Sequence, residues 1–171
     1  MRANIDAWWP HVEAGAEAIV MNASGCGVMV KDYGHVLKDD PAYAAKAARI
    51  STLTRDLSEL LPALVPALKP KVAARLSAKV GQVAFHPPCT LQHGQKLKGG
   101  VEQHMAELGF SIQTTIAYQL RDRKLGHLAE LQPQVIASAN IGCITHLQSG
   151  TSTPVRHWVE VLDDVLQAVV L

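Results

Sequence analysis

Short apolar runs alternate with helix-forming segments along the chain, and this alternation is the feature that most restricts the fold. The runs predicted as strands read AIVM, QVAF, FSIQ and VI, at residues 18–21, 82–85, 110–113 and 135–136. The segments with helical character include residues 2–14, 41–53, 100–108 and 116–131. Buried strands separated by helices predict an α/β fold with short, mostly parallel sheets flanked by helices. In such sheets a functional site is expected in the loops at the carboxyl ends of the strands.

Proline and glycine positions predict where several helices begin and end. Asp40-Pro41 is typical of a helix start, with the aspartate as N-cap, and Gly109 is typical of a helix end. The stretch TRDLSELLPALVPAL predicts a helix that Pro62 and Pro66 interrupt, because proline removes a backbone donor. Thr153-Pro154 predicts the start of a C-terminal helix with the sequence VRHWVEVLDDVLQAVV.

Composition excludes several classes of protein. The 171 residues are 48% apolar and 18% charged, which suits one ordinary domain or slightly more with a sizeable core. Sixteen basic against fifteen acidic residues give a net charge of +1, so no nucleic acid partner is expected. No run of eighteen apolar residues and no signal peptide is found, so no transmembrane segment is expected. We expect a cytoplasmic protein or one peripheral to the inner face of the cell membrane.

Three cysteines are spread along the chain, at positions 26, 89 and 143. An odd, scattered set argues against a disulfide scaffold and for a reducing compartment. Such thiols are either small buried groups or ligands.

Two Gly-Cys pairs reveal an internal repeat. Gly25-Cys26 matches Gly142-Cys143 at an offset of 117 residues (143 − 26), and each pair follows a short β-branched run. Downstream, TRDLSELL at 54–61 aligns with VRHWVEVL at 155–162. Unequal spacing between these matches indicates a duplication with changed loops.

The repeat leads to a domain assignment in which the first copy is incomplete. The first-copy equivalent of Cys89 would lie before Met1, so we expect the chain to begin partway through that copy. The predicted units are the C-terminal part of the first cysteine-rich repeat (1–68), a basic connector (69–80) and the second repeat (81–171).

Several segments resemble the iron-sulfur subunit of bacterial glycolate oxidase (glycolate dehydrogenase). They are NASGCG with the following YGH, TRDLSELL, VAFHPPCTLQHGQKLKG, YQLRDRKLGHL and ANIGCITHLQSGT with the following TPVRHWVE. They cover essentially the whole chain and correspond to that subunit's C-terminal part. In the family, two copies of a cysteine-rich domain with a C…CCG…C-x-x-C pattern follow a ferredoxin-like region.

The resemblance implies an electron-transfer role. The subunit would pass electrons from a flavin-containing dehydrogenase subunit towards membrane quinone, and would hold no catalytic residues of its own. It also implies a [4Fe-4S]-type iron-sulfur cluster in the complete protein. Residue by residue, Cys89 matches the opening cysteine of the second copy, Cys143 its closing cysteine, and Cys26 the closing cysteine of the first copy. Thiolates are the usual ligands of such clusters.

Two departures from the family pattern affect the implied site. The CCG segment is missing between Cys89 and Cys143, and its expected place is the junction of Thr115 and Ile116. Where the final C-x-x-C would have its first cysteine, this chain has Asn140 and, in the first copy, Ala23. The chain as it stands therefore does not complete a four-thiolate site.

Other interpretations of the same residues remain open. Cys89 and Cys143 with His86, His93 or His146 could form a zinc-type site. A Cys89–His93 nucleophile pair would need an orienting group and an oxyanion hole that the sequence does not reveal. The alternative function is a non-catalytic interaction or scaffold domain whose metal site has decayed.

Overall fold

The computed structural model describes residues 1–76, 82–114 and 121–167, which form helices around two short parallel sheets. The helices are α1 Arg2–Glu13, α2 Ser24–Lys31, α3 Tyr33–Val36, α4 Ala44–Leu53, α5 Leu57–Ala73, α6 Gly100–Glu107, α7 Arg121–Glu130, α8 Ile141–Gln148 and α9 Trp158–Gln167. The strands are β1 Ile19–Met21, β2 Thr54–Asp56, β3 Gln82–His86, β4 Ser111–Thr114, β5 Val135–Ser138 and β6 Val155–His157. The α/β fold predicted from the sequence is confirmed.

All strand pairs in the described residues are parallel. The first sheet pairs β1 with β2, and Ile19 lies opposite Thr54. The second has the order β4-β3-β5-β6, in which Val83 lies opposite both Ile112 and Val135. Helices join these strands, as the geometry of parallel pairing requires. The carboxyl ends of the strands therefore lie at one edge of each sheet.

The largest hydrophobic core joins the N-terminal and C-terminal parts of the chain. Leu61 and Val65 of α5 pack with Phe85 of β3, Met105 of α6 and Trp158 of α9. Smaller clusters lie beneath α1 and α4, around Ile5 and Ile50, and beneath α7 and α8, around Leu128 and Leu147. The shared core stabilises the contact between the two parts by burial of apolar surface.

The prediction that prolines interrupt the helix after Asp56 was wrong. Helix α5 runs without a break through Pro62, Pro66 and Pro70 to Ala73. The three prolines are four residues apart and exposed, so their rings lie along one solvent-facing side of the helix, away from its buried side. The helix also extends into the first five residues of the predicted connector 69–80.

Two strands were missed because each is three residues long and leads directly into a helix. Thr54–Asp56 and Val155–His157 were both assigned to helices, yet they pair with β1 and β5. The helix predicted from Pro41 begins only at Ala44, and the Asp40 side chain accepts hydrogen bonds from the Ala42 and Tyr43 amides before it.

Other predicted elements are confirmed or lie outside the described residues. Helix α6 ends at Glu107 and Gly109 follows with a positive φ of 105°, as its position predicted. The expected place of the CCG segment, between Thr115 and Ile116, lies outside the described residues. None of the helices within the described ranges is long and apolar enough to cross a membrane.

Candidate functional site

Cys26 and Cys143 occupy equivalent positions in two equivalent helices. Helices α2 and α8 are each eight residues long, and both ends are offset by 117 residues (141 − 24 and 148 − 31). Each cysteine is the third residue of its helix, and each helix begins shortly after a strand ends. Cys26 is exposed and Cys143 is half-buried, and neither forms a disulfide.

The start of α8 is fixed by Asn140. This N-cap residue has extended backbone angles, and its side-chain oxygen accepts hydrogen bonds from the amides of Gly142 (2.8 Å) and Cys143 (3.3 Å). An asparagine cap of this kind stabilises a helix by about 1 kcal/mol. The equivalent residue of α2 is Ala23, which has no side chain able to cap the helix. The position where the family pattern expects a sulfur thus has a structural role in one repeat only.

Cys89 lies where β3 turns into a short π-helical segment. Pro87 and Pro88 end the strand and are buried, and Cys89 itself is exposed. The turn Thr90–Gly94 follows, and the Pro88 carbonyl accepts hydrogen bonds from the amides of Leu91 and Gln92. The prolines therefore present Cys89 at the carboxyl end of β3, as the sequence predicted.

The three segments that carry the cysteines meet at Ser24, which is fully buried. Its hydroxyl shares a hydrogen bond of 2.7 Å with the Thr90 hydroxyl and accepts one of 3.4 Å from Asn140 Nδ2. Its amide donates to the Ala139 carbonyl at 3.2 Å. Ser24 precedes Cys26 by two residues, Thr90 follows Cys89, and Asn140 precedes Cys143 by three. The fold therefore gathers these cysteine-bearing loops at one place.

Gln95 connects the π-turn to the first repeat. Its Nε2 donates to the Ser24 carbonyl (3.0 Å) and to Oδ2 of the buried Asp56 (2.8 Å). The other Asp56 oxygen accepts from the amide and hydroxyl of Ser58, and Glu59 accepts from the Asp56 amide, which together cap α5. Lys31 at the end of α2 donates to the same Glu59 oxygen. Asp56 thus both starts a helix and anchors the turn after Cys89.

Two glycines allow α2 and the π-turn to approach closely. A Cβ on Gly27 would lie 2.6 Å from Gln95 Nε2, and a Cβ on Gly94 would lie 2.5 Å from Val28 Cγ2. Distances below 3.0 Å would force one of the partners to move. A larger residue at either position would therefore displace the Gln95 or Val28 side chain from this contact.

The histidines considered as accessory ligands have different surroundings. His86, at the end of β3, is buried, and its carbonyl accepts a hydrogen bond from the Ser138 hydroxyl at 3.0 Å. His93 lies in the π-turn and His146 on α8, and both are exposed.

The described residues do not fit a complete metal or cluster site. In residues 1–76, 82–114 and 121–167, no three His, Cys, Asp or Glu side chains come together as a metal site. The position that would supply a further thiolate beside Cys143 is Asn140, whose oxygen is engaged in capping. The fold brings the three loops together but does not assemble their side chains into a ligand set.

Sequence reasoning missed the polar residues that hold the loops together, namely Ser24, Thr90, Gln95 and Asp56. Asp56 had a recognisable signal, because Asp56 and Glu59 have the spacing of a capping box. Gln95 had no recognisable sequence signal, since its two hydrogen-bond partners are 39 and 71 residues away in the sequence.

Comparison with known proteins finds one family model, that of the cysteine-rich domain, which matches residues 106–148. Over 97% of its length the chain is 46% identical to the glycolate oxidase iron-sulfur subunit of Escherichia coli (strain K12). It is also 27% identical, over 88% of its length, to lactate utilization protein A of Geobacillus kaustophilus. The resemblance identified from the sequence motifs is confirmed.

The chain covers these relatives unequally. It spans 44% of the E. coli subunit and 71% of the Geobacillus protein. The E. coli alignment extends over 185 residues, 14 more than the 171 of this chain, so the relative is longer within the aligned part. No solved structure matches the chain.

Proposed function

We propose that the chain is the cysteine-rich part of an iron-sulfur electron-transfer subunit in a complex that oxidises glycolate or a similar 2-hydroxy acid. The observation that carries the proposal is the meeting of the Cys26, Cys89 and Cys143 loops at Ser24. Relatives named as glycolate oxidase iron-sulfur subunit and as lactate utilization protein A support the same role.

In this proposal the three thiols are the ligands that the chain contributes to a [4Fe-4S]-type cluster. Thiolates hold such clusters, and neighbouring hydrogen bonds tune the reduction potential. The described residues alone do not complete the ligand set, so the remaining ligands would come from outside them. His86, His93 and His146 are accessory candidates for a zinc-type site, because imidazole and thiolate together suit zinc.

The proposed partners follow from the role. A flavin-containing subunit of the same complex would oxidise the hydroxy acid and deliver electrons to this subunit. The acceptor would be quinone, reached by association with the inner face of the cell membrane from the cytoplasm. The chain contributes no catalytic residue to the oxidation itself.

A second candidate function is a scaffold or interaction domain that needs no metal. It is favoured by Asn140, which caps α8 and is bonded to Ser24. These contacts hold the loop that carries Cys143 in place without a ligand. The large core shared by α5 and the second sheet also stabilises the fold independently of the cysteines.

Elemental analysis of anaerobically purified protein separates these functions. Iron with acid-labile sulfide and visible absorbance is the result expected for electron transfer. Zinc in place of iron would support the zinc-type site. A metal-free, colourless protein that unfolds cooperatively would overturn the cluster and leave the scaffold function.

A further inference from the structure

A cleft of about 580 Å³ lies between the two repeats, beside the start of α8. Asn22 and Ala23 of the first repeat form one side, and residues of α8, β6 and the start of α9 form the other, including Ile141, Ile144 and His157. Ile141 is 66% exposed, the highest value among the large apolar side chains described as exposed. The cleft is therefore an open surface that combines apolar side chains with the charged residues Arg156 and Glu160.

The same place in the first repeat can be identified residue by residue. Helices α2 and α8 correspond at an offset of 117, so Ser24 matches Ile141 and Gly27 matches Ile144. Strands β2 and β6 both lead directly into helices, so Asp56 matches His157. Two glutamates then play the same part. Glu59 accepts a hydrogen bond from the Asp56 amide at 2.7 Å, and Glu160 accepts one from the His157 amide at 2.8 Å.

In the first repeat this place is filled. The turn after Cys89 inserts there, with Thr90 bonded to Ser24 and Gln95 bonded to Asp56. Gln95 packs so closely on Gly27 that a Cβ would not fit. Ile141, Ile144 and His157 therefore each have a counterpart that contacts the turn after Cys89.

The open cleft is more apolar than the filled one at two corresponding positions. Ile141 stands where the first repeat has the polar Ser24, and Ile144 stands where it has Gly27, so an apolar occupant is favoured at those points. At the equivalent of Asp56, His157 Nδ1 accepts from the Val159 amide at 3.3 Å, so Nε2 carries the proton of the neutral ring. Nε2 is buried and forms no hydrogen bond of good geometry among the described residues, although the Asn22 backbone lies close enough to raise the pKa of the ring in part.

We propose that this cleft binds a polypeptide turn of the same type as residues 87–97, supplied by a cysteine-rich repeat outside the present chain. The occupant places apolar side chains on Ile141 and Ile144. It offers a hydrogen-bond acceptor to His157 Nε2, as a glutamine or a backbone carbonyl does. The open site and the filled site are then the two halves of one reciprocal contact between repeats.

A synthetic peptide with the sequence of residues 85–98 tests the proposal, with Cys89→Ser to prevent disulfide exchange. A second peptide adds Thr90→Val, to suit Ile141. Binding to the full chain is followed by NMR of the His157 ring. We expect saturable binding with a shift of the His157 signal, and several-fold tighter binding of the second peptide.

Matched variants of the full chain locate the binding. Ile141→Glu places a charge in the cleft at the start of a helix, where an acidic residue is tolerated. Leu64→Glu on α5 is the control, because Leu64 is also exposed but does not line the cleft. We expect Ile141→Glu to weaken peptide binding at least tenfold and Leu64→Glu to leave it unchanged.

Three results would overturn the proposal. One is no saturable binding of either peptide up to about 1 mM, a very weak affinity. Another is equal binding by the Ile141→Glu variant, which would place the peptide elsewhere. The third is a dimer of the chain that Ile141→Glu dissociates, which would assign the cleft to a second copy.

Discussion

Asn140 and Ser24 are joined by a hydrogen bond of 3.4 Å, which Nδ2 of the asparagine donates to the serine hydroxyl. The same asparagine caps α8 through its other side-chain atom. One residue thus starts the helix that carries Cys143 and holds that helix against the segment that carries Cys26. The two functions can be separated by substitution.

Asn140→Ala should lower the free energy of unfolding by about 1–2 kcal/mol, because it removes both the cap and the hydrogen bond to Ser24. Asn140→Asp should cost less, since its carboxylate keeps the acceptor for the Gly142 and Cys143 amides and suits a helix start. Urea unfolding monitored by circular dichroism gives both values. Equal losses in the two variants would show that the cap contributes nothing.

The contact between Gly27 and Gln95 predicts a coupled pair of substitutions. Gly27→Ala should displace the Gln95 amide and leave buried Asp56 without that donor, at a cost of about 1–3 kcal/mol. Gln95→Ala should cost a similar amount for the same reason.

In the double variant the alanine at position 27 has no amide to displace, so the two losses should be far from additive. A double-mutant cycle by urea unfolding measures this coupling. Additive losses would contradict the packing of Gln95 on Gly27.

The sequence predicted the fold well where apolar patterning is local. The strands around Val83 and Ile136, and the end of α6 shortly before Gly109, follow from short-range signals that the structure bears out. It failed at Pro62 and Pro66, because propensity rules do not include the tertiary packing of Leu61 and Val65, which holds the helix in place through the prolines. It also failed at β2 and β6, whose pairing depends on distant partners.

For the candidate site, the sequence indicated which loops matter but not what holds them together. The cysteine positions came from the repeat and the family resemblance, and the structure gathers their loops at Ser24. The partners Thr90 and Gln95 carry no local signal, since their contacts cross 66 and 39 residues of sequence. The metal-ligand role of the cysteines stays a prediction.

His157 should make stability depend on pH. Burial lowers the pKa of this histidine, and the Asn22 backbone and the carboxylates of Glu160 and Asp56 oppose part of that shift. The unfolded chain, with a pKa of about 6.5, then binds a proton more readily than the folded chain. The contribution of neutral His157 to the free energy of unfolding is therefore fully present above about pH 6.5. It is lost as the pH falls through the lower pKa of the folded protein.

The measurement is the urea midpoint between about pH 5 and pH 8, a range that spans the ordinary histidine pKa. The matched variant is His157→Gln, and the other histidines contribute equally to both proteins. The wild type should lose more stability than the variant on acidification. Parallel pH profiles would show that His157 titrates normally in the folded protein.

The Asn140 position also gives a gain-of-binding prediction for the proposed metal role. Asn140→Cys places a thiolate three residues before Cys143, where the family pattern has one, so anaerobically prepared protein should hold more iron and sulfide per chain than the wild type. Asn140→Ser is the control, because serine also caps a helix but is not a soft ligand. Equal iron in the two variants would mean that this loop is not a ligand loop. A higher iron content that is lost again on Cys143→Ser would place the metal at the start of α8.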